Sequence, residues 1–327
     1  MSRLARRALY GAALAGCVVL DAAQPSAVVR GSLDGRHTGS RSALAVEQDG
    51  VWREWWRSDR APARWSAARP EVARAIAWHH AADGVEWGEI RLAGDGEAWR
   101  VRAIIVRIDP RQTRFRLDTA FRHGILGADW TIARAPREAI VAVNAGQFVG
   151  SLPWGWVVLH GREFLAPGRG PLSTAIVIDS SGAPRWVRAQ EIAAARYAPG
   201  IVAAFQSYPT LLEGDGEVPP ALRGAARGDI DLGHRDARLA IGTLRDGRVL
   251  IALTRFDALD GTLDFVPFGL TTPEMAALMG ALGCQRAVML DGGISSQLLV
   301  RERNGETHRW AGIRRVPLGL VVLPRGG

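Results

Sequence analysis

The sequence predicts an α+β fold, with a large mixed, mostly antiparallel β-sheet core and a few flanking helices. Three observations lead there. From Gly84 onward, short segments alternate apolar and polar residues or run apolar throughout, with turn residues between them. Helical patterns are few by comparison, which suits strands and helices segregated along the chain. A chain of 327 residues, 47% hydrophobic with mean hydropathy near zero, has the material for one large core or two modest ones.

The N-terminus reads as an address. Arg3, Arg6 and Arg7 precede a short apolar stretch from Ala8, the charge-then-apolar order of a secretory signal. The stretch is too short to span a membrane. Leu14-Ala15-Gly16-Cys17 resembles a lipobox, which implies cleavage before Cys17 and lipidation of its sulfur. A plain signal peptide cut near "DAAQPSA" is the alternative. Either way the mature chain is exported, periplasmic or held at the membrane as a lipoprotein, and any membrane contact runs through that lipid. Residues 1–20 are assigned to this signal. Residues 21–83 are read as a tether followed by a Trp-rich helical segment, since Trp52, Trp55 and Trp56 fall on one helical face. Residues 84–327 form the main domain.

Within that domain "EWGEIRL", "WRVRAIIVRID" and "RFRLDTA" alternate as half-buried strands do. "AIVAVNAG" is a buried strand ending at Asn144, and "WGWVVLHG" and "TAIVIDSSG" follow as strands. "RLAIGTLRDGRVLIALTRF" is a hairpin turning at Asp246-Gly247. "TTPEMAALMGALGC" is a helix: Thr271 and Glu274 have capping-box spacing, Pro273 suits the first turn, and Gly283 ends it. "RAVML" and "RVPLGLVVLP" are the last strands.

Charge narrows the function. All 41 basic residues are Arg, so Lys Schiff-base chemistry and a P-loop are excluded. Anions must be held by Arg, backbone amides or helix N-termini. The formal charge of +8 is concentrated before residue 70 rather than over the folded domain, so nucleic acid is not an expected partner. After removal of the signal, Cys284 is the one cysteine other than Cys17. It follows a helix end and reads as a buried, inert thiol.

Several motifs fail. Gly293-Ile294-Ser295-Ser296 begins like a nucleophile elbow, but Gln297 breaks the pattern. No glycine fingerprint for a dinucleotide follows a strand. The acidic runs at 213–217 and 257–264 lack EF-hand spacing, and His79-His80 are adjacent, not a turn apart. Neither a metal nor another cofactor is expected. What remains is a set of polar groups at strand ends: Asn144, Arg238, Asp257 and Asp291. Strand ends are where a sheet presents chemistry to ligands, although Asn, Asp and Gly also serve ordinary turns there.

These residues resemble the phosphodiester glycosidase family. Asn144-Ala145-Gly146-Gln147-Phe148 is similar to its Asn-Gly-Gly-Phe-Phe element. "HRDARLAIG" resembles its His-Pro-Arg-Thr-Ala-Ile-Gly, with Arg238 on the family Arg and His234 displaced. Leu290-Asp291-Gly292-Gly293-Ile294-Ser295-Ser296 resembles its Leu-Asp-Gly-Gly-Gly-Ser-Ser, and "AFQSYPTLL" its internal Ser-Gly-Pro segment. Ala145, Gln147, Leu239 and Ile294 replace family residues, and "RFDAL" lacks the Arg of a family Asp-Gly-Arg. The resemblance spans about residues 84–325.

It implies hydrolysis of a sugar-1-phosphodiester in the bacterial cell envelope, releasing sugar and a phosphomonoester. Asp291 is the candidate catalytic carboxylate, with Asp257 as a possible second and Asn144 orienting substrate. Arg238, the Gly292 and Gly293 amides, and Ser295 or Ser296 are the candidate phosphate donors. The alternative is a non-catalytic envelope module that binds phosphorylated glycans.

Overall fold

The computed structural model describes residues 42–120, 127–170, 172–223, 231–258, 262–264 and 266–325. The signal and lipobox assignment, with Cys17, lies outside them.

The described residues form three sheets and a two-stranded ribbon, and every strand pairing is antiparallel. The nine-stranded sheet runs, edge to edge, Thr210–Leu212, Cys284–Met289, Leu239–Leu244, Val249–Phe256, Val101–Ile108, Val85–Gly94, Ala43–Gln48 and Val51–Arg57. His79–Ala82 pairs beside Val85–Gly94. A five-stranded sheet orders Arg162–Leu165, Val157–Leu159, Ile201–Ser207, Thr174–Asp179 and Pro184–Arg188. Another orders Thr307–Trp310, Leu298–Arg301, Val141–Asn144, Leu318–Pro324 and Thr113–Thr119.

The large sheet is covered on both faces, which explains its apolar runs. Along Val249–Phe256, Val249, Ile251 and Leu253 join a core shared with the two smaller sheets. Leu250 and Ala252 join a second core, against the Thr272–Ala281 helix and Trp55, Trp56 and Trp65. That helix is buried nearly all round. Its capping box forms as the sequence predicts: Glu274 N donates to Thr271 Oγ1 at 3.3 Å, and Thr271 N to Glu274 Oε2 at 2.9 Å. Cys284 is fully buried, and burial pushes its thiol well above the ordinary range.

The Trp-rich helix is corrected. Trp52, Trp55 and Trp56 lie on the strand Val51–Arg57, hairpinned to Ala43–Gln48 at the edge of the large sheet. The register skips between Leu44 and Ala45, which face Trp56 and Glu54, so Trp55 sits at a bulge. A bulge inserts one residue and breaks the period of two, so the neighbours Trp55 and Trp56 are both buried. That spacing also fits a helical face, hence the misreading. The strands Ala43–Gln48, Val51–Arg57 and His79–Ala82 therefore belong to the same sheet as the strands after residue 84.

Candidate active site

The loop from Asp291 to Gln297 leaves the large sheet at Met289 and enters a smaller sheet at Leu298. It crosses the junction between them and is held from several sides. Asn144, fully buried at the end of its strand, donates from Nδ2 to Asp291 O at 2.7 Å and accepts from Gln297 N at 2.9 Å. Both ends of the loop are thus tied to one side chain. Gln147 Nε2 donates to Leu290 O at 3.1 Å and to Tyr208 O at 3.0 Å. Leu290 N donates to Leu239 O, and Gly293 N to Ala237 O at 2.7 Å. At Gly292 a Cβ would stand 2.7 Å from Ala237 O, and at Gly293, with φ +59°, 2.8 Å from Asp236 Oδ2. Two glycines are needed so that the loop lies flat on the 236–238 segment.

Asp291 is mostly withdrawn from water. Burial raises its pKa to about 6. The Ser295 hydroxyl and the Arg314 charge oppose the rise, and the nearby Asp236 carboxylate adds to it. A desolvated carboxyl poised near neutral pH is what proton transfer or nucleophilic work requires.

Asp236 is the site residue that the strand-end reading missed. Its Oδ1 accepts from Ala237 N at 2.8 Å, and its Oδ2 stands 3.7 Å from His234 Nε2. Burial raises its pKa, while Arg238, the Ala237 amide and His234 hold the rise back. The available signal was an acid two residues before the family Arg, in the stretch where His234 is displaced. Arg314 was also missed. Its exposed guanidinium lies 4.5 Å over the Phe148 ring and donates to Gly150 O at 3.2 Å, and its charge reaches Asp291.

Other expected members play different parts. Arg238 is largely buried, its Nε donating to Leu270 O at 2.8 Å and its Nη2 to His234 O at 2.5 Å. Burial lowers its pKa, with Asp236 and Glu274 opposing. Next to it, Arg235 pairs bidentately with Glu274 at 2.6 and 2.8 Å, so the helix cap anchors the 234–238 segment. Ser296 is fully buried: its hydroxyl donates to Gly293 O, and Arg255 donates to its Oγ and O at 2.9 and 2.5 Å. The Gly293 amide is taken by Ala237. Ser295 faces Asp291.

Asp257 does not join this set. Its carboxylate lies 3.3 Å from Arg91 Nε and 4.0 Å from Arg102 Nε, and lines a separate cavity of about 310 Å³ with Glu47 and Glu89. The strand before it lies two places across the sheet from the strand before Asp291, which is about 10 Å. Among the described residues Glu302, Glu306 and His308 bring ligand atoms within 4.8 Å of one another, on the Leu298–Arg301 hairpin. Glu302 there accepts from Trp87 Nε1 and contacts His308.

The phosphodiester glycosidase family profile matches residues 137–323, which include Asn144, Asp236, Arg238, Asp291 and Arg314. Among curated proteins no sequence matches. Several solved structures share the fold, among them these two. The catalytic domain of zebrafish N-acetylglucosamine-1-phosphodiester alpha-N-acetylglucosaminidase, auto-inhibited by its pro-peptide, has 16% identity and a TM-score of 0.52, covering 79% of this chain and 86% of that one. A hypothetical protein from Synechocystis has 17% identity and a TM-score of 0.51, covering 76% of this chain. The match spans 64% of the Synechocystis chain, a little under two thirds.

Proposed function

Because the chain belongs to the phosphodiester glycosidase family, we propose that it hydrolyses sugar-1-phosphodiesters at the Asp291 loop, in the cell envelope of a bacterium. One observation carries the reading: a desolvated carboxyl with its pKa near 6 faces an exposed guanidinium at a loop pinned between two sheets. The guanidinium of Arg314 takes the phosphate and Asp291 takes the proton.

In the proposed step, water oxygen bonds to the anomeric carbon. One water proton passes to Asp291, and the other remains in the new sugar hydroxyl. The bond from the anomeric carbon to the phosphate oxygen breaks, and the phosphomonoester leaves with the electron pair. Such a leaving group needs little help from an acid, so an Arg clamp suffices for it. Asp236, rather than Asp257, supplies the second carboxylate, placed to stabilise positive charge on the sugar. Asn144 acts through the loop it holds. Arg238 braces the segment that carries Asp236. The half-buried Trp154 and the exposed Tyr208, with ring centroids 4.7 Å apart, are tied through Gln147 to the start of the loop and offer an aromatic face to a sugar. The basic and apolar N-terminus supports export, with Cys17 as the point of lipid attachment.

The test is release of sugar from a panel of sugar 1-(methyl phosphates) by the purified chain and by Asp291→Asn. Release by the first and not the second supports the reading. Full release by Asp291→Asn sinks it. Tight binding without turnover by the unaltered chain supports a glycan-binding module instead.

A further inference from the structure

The rim of this site is aliphatic. Among the described residues, eleven large hydrophobics are prominently exposed, and four of them stand on the segments that Arg314 joins: Val149 (71% exposed), Leu152 (48%), Ile294 (43%) and Ile313 (63%). Their positions are linked by hydrogen bonds. Ile294 stands inside the loop, between Gly293 and Ser295, and its carbonyl accepts from Ile313 N at 2.8 Å and Arg314 N at 3.0 Å. Val149 and Leu152 face each other across the two-stranded ribbon Phe148–Val149 and Leu152–Pro153. Arg314 Nη2 donates to Gly150 O in the turn of that ribbon. Scattered apolar residues on a surface need no explanation. Here they share their segments with an exposed cation whose charge acts on Asp291, and so call for an occupant.

We propose that the group beyond the phosphate is an aliphatic alcohol, so that the substrate class is a sugar joined through its 1-phosphate to a lipid. This rests on the hydrolase reading above. The chemistry of each part finds a match: the phosphate meets Arg314, the anomeric carbon meets Asp291, and the hydrocarbon lies on Ile294, Ile313, Val149 and Leu152. A sugar or other polar alcohol in that position would leave four aliphatic side chains facing a hydrated ligand, with no area removed from water. Ile294 then has a role where the family element carries glycine: it brings the catalytic loop into contact with the chain. Its own φ need not be positive, since the left-handed residue of the loop is Gly293.

The experiment compares two substrates with one sugar and one phosphate, differing only in a methyl or decyl ester, both kept monomeric in solution. The expected result is a kcat/KM at least tenfold higher for the decyl ester. In Val149→Ser and Ile313→Ser, both on exposed segments, the decyl-to-methyl ratio falls at least threefold, and in the double variant it approaches one. Equal kcat/KM for the two esters overturns the proposal while leaving the hydrolase reading intact. So does a ratio that survives the double variant. A decyl preference found only on vesicles, with equal rates in solution, also overturns it and makes the rim a membrane contact. If neither ester is cleaved, the hydrolase reading itself has failed, and binding of the two esters measured by calorimetry applies the same ratio test to the rim.

Discussion

At the scale of single residues, Asp291 makes a prediction that separates function from stability. Its pKa in the folded protein, about 6, lies above the ordinary 3.8 because burial disfavours the charged form. Between those values the folded protein keeps a proton that the unfolded chain has lost, so stability falls as pH rises from about 4 to about 6. Asp291→Asn removes that loss. At pH 7 it is expected to raise stability by about 1–3 kcal/mol in thermal melts, and at pH 3.5 to change it little. The same variant loses sugar release, and the unaltered chain loses activity as pH falls below about 6, where the base is protonated. Asp236→Asn keeps an acceptor for the Ala237 amide and removes only the charge. It is expected to lower kcat on the order of 10²-fold and, since burial disfavours this charge too, to raise the melting temperature at pH 7. Asp257→Asn, in the Arg91 and Arg102 cavity, is expected to leave kcat alone.

At the scale of elements, the loop is only as well placed as the strand ends that hold it. Asn144 satisfies a partly buried carbonyl and a buried amide across the two ends of Asp291–Gln297. Asn144→Ala leaves both without a partner, and buried polar groups so stranded cost about 1–3 kcal/mol each. A drop in melting temperature, faster amide exchange at Gln297 and a fall in kcat are expected together, because one side chain supports both fold and site. Most elements were legible in the sequence for local reasons. The Thr271 capping box, the Asp246-Gly247 turn and the alternating strands all carry their signals within a few residues. The partners of Asp291 were less legible. A residue's place at a strand end can be read from the apolar run before it. Which strand lies alongside cannot, and that placed Asp257 two strands away and hid Asp236. Arg314 is 23 positions beyond Asp291 and reaches it only because the 313–314 backbone docks on Ile294.

At the scale of the whole molecule, the site sits where a nine-stranded sheet meets a five-stranded one, so its geometry depends on the large sheet being complete. The sequence places a boundary at residue 84, where the texture changes from Trp-rich to alternating. That change reflects the passage from a bulged edge hairpin to more central strands, which pattern alone cannot distinguish from a change of domain. The consequence is measurable. A chain cut to residues 84–327 loses Leu44, Val46, Trp55, Trp56, Trp65 and Val72 from the core that covers the Thr272–Ala281 helix. Fully burying a large apolar side chain contributes about 1.5–3 kcal/mol, so six of them match or exceed the 5–15 kcal/mol by which a typical domain is stable. The cut also exposes the edge of Val85–Gly94, which pairs with Ala43–Gln48 in the intact sheet and would template association. Residues 84–327 are therefore expected to aggregate or to melt without cooperativity, whereas residues 42–327 fold as a cooperative unit and keep the activity of the full chain. Calorimetry and size-exclusion chromatography on the two fragments decide it. A soluble, cooperatively melting 84–327 fragment with full activity would show that the N-terminal hairpin is an attachment to the sheet rather than part of its core.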